Sequence, residues 1–160
     1  MKTLTADTPL AYTYDPTRSR ASYTFDGENW MNHGEFCERM AKAILGYKPD
    51  KDSIAANKKC DIPELKASVK SRRCGLSDRK DRPNNPTEFM EKFWREDIAE
   101  LYIYVCDHGD TMTLYFMNEV EFRGFVEQFF KWDSHINNFR MNICDNTSET
   151  WLMANYGKAA

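Results

Sequence analysis

The feature that most restricts the fold of this chain is an apolar run, Leu-Tyr-Ile-Tyr-Val-Cys, that ends just before Asp107. Successive side chains of a strand point to opposite faces, so an unbroken apolar run needs cover on both faces. Strands of this kind lie at the centre of sheets that carry helices on each side. The run, which we assign to a strand over residues 100–107, therefore predicts a central strand. Together with the order of the other helices and strands, it leads us to expect an α/β fold with a mixed sheet flanked by helices.

Four helix starts are marked by the same spacing, an Asn followed three positions later by a Glu. The Asn side chain accepts a hydrogen bond from a free N–H group of the first turn, and the carboxylate of a Glu at the third helical position can accept one from the backbone N–H of the Asn. The four pairs are Asn32/Glu35, Asn85/Glu88, Asn118/Glu121 and Asn146/Glu149. We expect the first helix to end at Gly46 and the third to continue from Glu119 to Trp132.

Short strand-like segments fill much of the remaining chain. Residues 11–14 and 21–25 are separated by turn signals and predict an N-terminal β-hairpin. Further strands are expected over residues 64–70, 111–117 and 138–144. A chain of 160 residues suits one domain, which we divide into a hairpin extension, residues 1–31, and a core, residues 32–157.

Composition argues against several classes of protein. The chain is 41% hydrophobic and 29% charged, which is typical of a globular protein and not of a disordered one. No apolar run approaches the ~20 residues that span a bilayer, and the first residues lack the apolar segment of a signal peptide. We therefore expect a cytoplasmic protein without a membrane partner. The seven glycines form no phosphate-binding motif, which argues against a nucleotide cofactor.

The five cysteines and three histidines are widely spaced along the chain. No Cys-x-x-Cys occurs, so the cysteines are expected to be reduced core thiols. His33 opens a helix, His108 lies in a turn and His135 lies in a loop. This spacing suggests neither a catalytic triad nor a metal cluster, and each histidine is expected at the surface.

The segment with the strongest chemical pattern runs from Lys58 to Arg73 and reads KKCDIPELKASVKSRR. From Glu64 to Lys70 polar and apolar residues alternate, which predicts a strand with one packed face and one polar face. Metal-dependent phosphodiesterases use an Asp before such a strand, and an acid-x-Lys pattern inside it, to hold a cation beside a Lys. The segment is therefore a candidate site for phosphodiester chemistry.

The order of these motifs resembles the PD-(D/E)xK nuclease superfamily, in particular its Holliday-junction-resolvase-like branch. Residues 32–38, NHGEFCE, are similar to the Asn-Arg-Gly-x-x-x-Glu opening of Gram-positive junction resolvases, which matches Glu38 to the family's helix acid. Asp61 resembles the aspartate of the motif, and residues 68–71, SVKS, resemble its Glu-x-Lys-Ser. The match covers residues 32–71.

The resemblance implies a resolvase-like or restriction-endonuclease-like core, a homodimer, and a catalytic set that comprises Glu38, Asp61, Ser68 and Lys70. Glu38 and Asp61 would bind Mg²⁺, and Lys70 would position a water molecule. Ser68 stands where the family has its second strand carboxylate, and a neutral hydroxyl is a poor Mg²⁺ ligand. We therefore expect weak metal binding and weak or absent cleavage.

A second register of the motif keeps both acids. Glu64 and Lys66 also form acid-x-Lys, with Asp50 or Asp52 upstream as the aspartate. We rank this register second because it leaves Asp61 and Lys70 without a role. An amphipathic strand with no chemistry is a third interpretation.

Charge is distributed unevenly along the chain, whose net charge is −3. Residues 58–82 hold nine basic and four acidic residues, a net +5, whereas residues 88–121 hold nine acidic and two basic residues, a net −7. A basic block beside a phosphodiester site favours contact with DNA phosphates. The expected DNA contacts are Lys58, Lys59, Lys66, Lys70, Arg72, Arg73, Arg79 and Arg82.

Three functions fit these observations. The first is a DNA-binding protein on a nuclease-like scaffold, which binds duplex or branched DNA with weak or absent Mg²⁺-dependent cleavage. The second is an active Mg²⁺-dependent endonuclease. The third is a mobile-element inhibitor of the anti-CRISPR kind that binds an RNA-guided nuclease. The small size, the altered motif and the acidic segment favour this third function.

Overall fold

A computed structural model describes residues 2–50, 60–77, 79–97, 99–142 and 147–156 of the chain. Within these residues the helices are α1 (His33–Ile44), α2 (Pro86–Glu96), α3 (Glu119–Phe129) and α4 (Thr147–Tyr156). The strands are β1 (Thr3–Asp7), β2 (Thr13–Tyr14), β3 (Tyr23–Thr24), β4 (Ala67–Ser71), β5 (Leu101–Asp107), β6 (Thr111–Met117), β7 (Lys131–Asp133) and β8 (Asn138–Arg140). A short 3₁₀ helix, Pro63–Leu65, precedes β4.

The main sheet has the order β1-β6-β5-β4. β4 and β5 are parallel, whereas β5 with β6 and β6 with β1 are antiparallel. β5 is therefore an inner strand with a partner on each side, and its residues 102–106 are all buried. The prediction of an α/β fold with a mixed sheet and helices is confirmed.

The two faces of the sheet carry two separate cores. Ile103 and Val105 of β5 pack with α1 and the β2–β3 hairpin on one face. Tyr102 and Tyr104 alternate to the other face, where they pack with residues of α2, α3 and α4. The Tyr102 ring stacks on Phe122 of α3 with ring centroids 4.1 Å apart. Aromatic pairs of this kind add about 0.5–1.5 kcal/mol beyond the burial of their area.

The helix starts agree with the Asn-x-x-Glu pattern wherever the structure describes it. The side chains of Asn32, Asn85 and Asn118 accept hydrogen bonds from the backbone N–H groups three residues later, at 2.9, 2.9 and 2.8 Å. Asn146 lies outside the described residues. None of the helices in the described part of the chain is long and apolar enough to cross a membrane.

Two strands were not predicted, and one helix is shorter than predicted. The N-terminal hairpin is confirmed as β2 and β3, but the residues before it also form β1, an edge strand of the main sheet that pairs with β6. α3 ends at Phe129 and does not continue to Trp132. Trp132 instead lies in β7, which pairs with β8.

Gly75 lies where the chain passes closest to β8. A Cβ atom at this position would lie 2.3 Å from Nδ2 of Asn138, whose buried amide donates to the Ser77 carbonyl at 2.7 Å. Gly75→Ala is therefore expected to lower the free energy of unfolding by about 1–3 kcal/mol, measured by urea denaturation.

The matched control is Gly124→Ala. Gly124 lies within α3, and nothing stands within 4 Å of an added Cβ atom. This substitution should raise the free energy of unfolding by up to about 1 kcal/mol, because Ala favours a helix. Equal stability of the Gly75 variant and the wild type would contradict the packing described at β8.

Candidate functional site

Asp61 is held against the free edge of β4. The chain reverses through the 3₁₀ helix and through Lys66, whose φ is 49°, so that Ile62 pairs antiparallel with Ala67. One carboxylate oxygen of Asp61 then accepts a hydrogen bond from the backbone N–H of Val69, at 2.7 Å. An edge strand exposes unpaired N–H groups, and this carboxylate satisfies one of them.

The second register of the motif does not lie on a strand. Glu64 belongs to the 3₁₀ helix, and Lys66 ends it in a left-handed conformation. The Lys66 ammonium lies 3.3 Å from Glu100 at the surface. The predicted strand over residues 64–70 therefore begins later, at Ala67, and Glu64 and Lys66 do not face a common site from it. Of the two upstream aspartates of that register, Asp52 lies outside the described residues.

Glu38 lies in the middle of α1, on the face of the sheet that α1 covers. Its carboxylate is 3.3 Å from the ammonium of Lys42, which is itself buried. Burial and the neighbouring Asp61 carboxylate raise the pKa of Glu38 to about 7, against the opposing effect of Lys42. The structure therefore brings together the two residues that the resemblance assigns to a metal.

Ser68 and Lys70 are not part of this pair. Side chains alternate along β4, and Ala67 and Val69 are the ones that pack in the core around α1. Lys70 extends from the opposite face, donates to the Leu76 carbonyl at 2.7 Å and lies 5.9 Å from the Phe93 ring of α2. Ser68 is buried on that same face. The four residues of the expected catalytic set are thus divided between the two faces of the sheet.

Most of the expected DNA contacts that the structure describes already have partners within the protein. Lys66 and Lys70 make the contacts given above. The others are Arg72 with Glu149 at 2.9 Å, Arg79 with Asp81, Glu96 and Asp97, and Arg82 with the carbonyls of Ile136 and Asn137. Arg73 is exposed, and Lys58 and Lys59 lie outside the described residues.

A second polar cluster lies at the carboxyl ends of β4 and β5, where α1 begins. His33 donates through Nε2 to the Asp107 carboxylate at 3.1 Å, and the two side chains are only 12% and 15% exposed. Burial disfavours the charge of Asp107, but the bonds from His33 and from the Gly109 N–H hold its pKa below the ordinary value. His33 is therefore a mostly covered, paired residue, and its predicted position as a surface histidine is wrong.

Thiols and a hydroxyl complete this cluster. Because a carboxylate only accepts hydrogen bonds, Nε2 of His33 carries the proton of the bond to Asp107, and Nδ1 is the acceptor in the neutral ring. Nδ1 lies 3.4 Å from the Ser71 hydroxyl. Sγ of Cys37 lies 3.8 Å from Nδ1 and 3.5 Å from Nε2. The Ser71 hydroxyl is in turn 3.1 Å from Sγ of Cys74. Burial raises the pKa of Cys37 well above its ordinary value, with a further contribution from Cys74.

The sequence feature that could have indicated this cluster is a polar residue at the end of each of the two parallel strands. Ser71 closes β4 and Asp107 closes β5, and the carboxyl ends of parallel strands meet at one edge of a sheet. His33 and Asp107 are 74 residues apart in sequence, so their spacing alone does not indicate that they meet.

Neither cluster is a complete set of protein ligands for a metal. Among the described residues, no group of three or more His, Cys, Asp and Glu side chains has the geometry to hold a metal ion. Comparison with protein-family models, with curated proteins and with solved structures finds no match to the chain. We therefore infer function from the geometry of the two clusters.

The raised pKa of Glu38 predicts an unusual dependence of stability on pH. In the unfolded chain a Glu titrates near ~4.3, and in the folded protein Glu38 titrates at about 7, so the folded state binds more protons between these values. The free energy of unfolding should therefore fall as pH rises through this range, by up to about 3 kcal/mol from this residue. Glu38→Gln should remove that fall, measured by urea denaturation at several pH values.

Glu35→Gln is the matched control, because Glu35 lies on the same helix and pairs with Arg39 at 3.2 Å. This variant should keep the fall of the wild type. If Glu38→Gln and the wild type show the same pH dependence between about pH 4.5 and 7, Glu38 does not have the environment described here.

Proposed function

We propose that the protein binds DNA, with Glu38 and Asp61 holding one divalent cation beside the phosphate backbone, and that it cleaves DNA weakly or not at all. The observation that supports this function is that the Asp61 carboxylate, held at the edge of β4, is near enough to Glu38 to raise its pKa. A helix acid and an aspartate just before a strand follow the order of the PD-(D/E)xK nucleases that the sequence resembles. A resolvase-like core is part of the same proposal.

The carboxylate pair fits Mg²⁺ as a ligand set completed by water. Mg²⁺ commonly uses one or two carboxylates and keeps several water molecules. The negative charges of Glu38 and Asp61 repel each other, and this repulsion contributes to the raised pKa of Glu38. A bound cation would relieve the repulsion, which favours metal binding between the two carboxylates. A cation at this position would neutralise the charge of a phosphate oxygen.

Weak or absent cleavage follows from the position of Lys70. A lysine that positions water must face the metal and the phosphate, but Lys70 donates to a backbone carbonyl on the other face of the sheet. Ser68, on that same face, supplies no carboxylate. An active endonuclease is therefore the less favoured of the two DNA-directed functions.

Arg73 is the described residue of the basic segment best placed for phosphate. It is exposed. Burial raises the pKa of Tyr23 and of Cys37, and the charge of Arg73 opposes both increases, so Arg73 lies near the residues that pack with α1. Lys58 and Lys59 lie outside the described residues and stay predicted DNA contacts.

The DNA-binding proposal predicts a steep dependence of affinity on salt. Affinity for a four-way junction, measured by fluorescence anisotropy over a range of KCl concentrations, should fall linearly on logarithmic axes. Arg73→Ala should reduce the slope by about one, because one phosphate contact is lost. Lys131→Ala, which removes an exposed lysine of β7, should leave the slope unchanged. No binding at low salt, or a flat dependence, would contradict DNA binding.

Metal binding can be tested without DNA, through the melting temperature of the protein. At pH 8, MgCl₂ should raise the melting temperature of the wild type, because binding to the folded state stabilises it. Asp61→Asn should remove this increase while keeping an oxygen that can accept the Val69 N–H. Glu35→Gln should retain the increase. An identical effect of MgCl₂ on the wild type and the Asp61 variant would exclude the carboxylate pair as the metal site.

A protein-binding inhibitor of an RNA-guided nuclease is the second candidate function. The observation that favours it is the difference between the two charged segments. Most described cations of the basic segment are paired within the protein, whereas Glu88, Glu91 and Asp110 of the acidic segment are exposed. An acidic surface is complementary to the basic channel that holds nucleic acid in such an enzyme. A stable complex with a purified RNA-guided nuclease, formed without DNA, would support this function. The homodimer that the resemblance implies stays a prediction.

A further inference from the structure

Cys37 and Cys74 share one hydrogen-bonding partner across the gap between α1 and β4. The Ser71 hydroxyl lies 3.1 Å from Sγ of Cys74 and also bonds to the thiol of Cys37. Cys74 reaches this position because Gly34 has no side chain: a Cβ atom there would lie 2.8 Å from Sγ of Cys74. The two sulfur atoms therefore lie on either side of one hydroxyl group, and a disulfide between them requires their Cβ atoms to come within about 3.5–4.5 Å.

The two thiols differ in access to solvent. Cys74 lies in the turn after β4 and is partly exposed, whereas Cys37 is fully buried in the core around α1. A small oxidant in solution therefore reaches Cys74 first. Cys37 can react only with a group that the protein itself brings to it.

We propose that Cys74 is a site of oxidation by hydroperoxides, and that Cys37 is the thiol that resolves the oxidised form into a reversible disulfide. In the first step the Cys74 thiol attacks the peroxide O–O bond, which gives a sulfenic acid at Cys74 and releases water or an alcohol. In the second step the sulfur of Cys37 attacks the sulfur of this sulfenic acid. The S–S bond forms, the S–O bond breaks, and the hydroxide leaves as water.

His33 is positioned to move the proton that the second step requires. Sγ of Cys37 lies 3.5 Å from Nε2 and 3.8 Å from Nδ1, and Nδ1 accepts that proton as the S–S bond forms, because Nε2 already carries the proton of the bond to Asp107. The Asp107 carboxylate, 3.1 Å from Nε2, stabilises the imidazolium that results. The same proton then combines with the departing hydroxide. His33 acts here as a general base for the reaction between the two cysteines.

The disulfide would connect α1 to the turn after β4 and would not depend on DNA or metal binding. It closes a loop that contains the candidate metal ligands Glu38 and Asp61. Because the oxidation chemistry uses neither carboxylate, Glu38→Gln and Asp61→Asn should leave it unchanged. Failure of the DNA-binding proposal would therefore not affect this inference, and its own failure would not affect DNA binding.

The test is to treat the protein with hydrogen peroxide, block free thiols with N-ethylmaleimide and identify disulfide-linked peptides by mass spectrometry. We expect a Cys37–Cys74 peptide in the wild type that dithiothreitol removes. In Cys37→Ser, dimedone should trap a sulfenic acid at Cys74, because no resolving thiol is present. His33→Gln should slow disulfide formation at least tenfold and increase the trapping of Cys74.

Cys106→Ser is the matched control, because Cys106 is a buried thiol that packs in the core on the opposite face of the sheet. It should form the Cys37–Cys74 disulfide at the rate of the wild type. Wild-type protein in which Cys74 is oxidised without a bond to Cys37, or in which peroxide modifies Cys106 before Cys74, would overturn the proposal. An equal rate in the wild type and His33→Gln would remove the role of His33.

Discussion

The need to cover both faces of β5 divides this molecule into two chemical environments. Ile103 and Val105 pack in the core with α1, whereas Tyr102 and Tyr104 pack in the core with α2 and α3. The sheet therefore separates the side chains of its two faces. The parallel pairing of β4 with β5 imposes the same division on β4. Which residues can act together is therefore decided by strand alternation as well as by distance along the chain.

The face under α1 contains the chemically unusual groups. Glu38 and Asp61 form a carboxylate pair near the middle of α1, and the His33–Asp107 pair lies at its first turn with the thiols of Cys37 and Cys74. α1 contributes to both clusters because neighbouring positions of a helix turn toward different parts of the sheet edge. Burial raises the pKa of Glu38 and of Cys37 alike, so both clusters keep acidic groups partly or wholly protonated near neutral pH.

Local signals in the sequence were sufficient for the helix starts, for β5 and for the hairpin, because a cap, an apolar run or a turn depends on a few adjacent residues. They were insufficient for β1 and β7. β1 is short and includes three polar residues, and Trp132 continues the apolar pattern of α3 although the chain has already left the helix.

The alternation of side chains along β4 was predicted correctly from Ala67 to Lys70. This alternation does not show on which face of the sheet the segment with Asp61 or the helix with Glu38 will lie. Both faces of β4 are covered, so its polar residues are not on a solvent-facing surface. Asp61 lies near Glu38 because its carboxylate bonds to the edge of β4. Ser68 and Lys70 lie on the opposite face of the sheet. The His33–Asp107 pair was missed because only the parallel pairing of two strands places its members side by side.

The central claim is that Glu38 and Asp61 form a partly buried carboxylate pair, and NMR titration of the Glu38 side-chain carboxyl carbon tests it most directly. In the wild type the resonance should titrate with a midpoint at about 7. In Asp61→Asn the midpoint should fall, yet remain above the ordinary value of ~4.3, because the repulsion is lost while the burial remains. A wild-type midpoint near ~4.3, or an unchanged midpoint in the Asp61 variant, would contradict the claim.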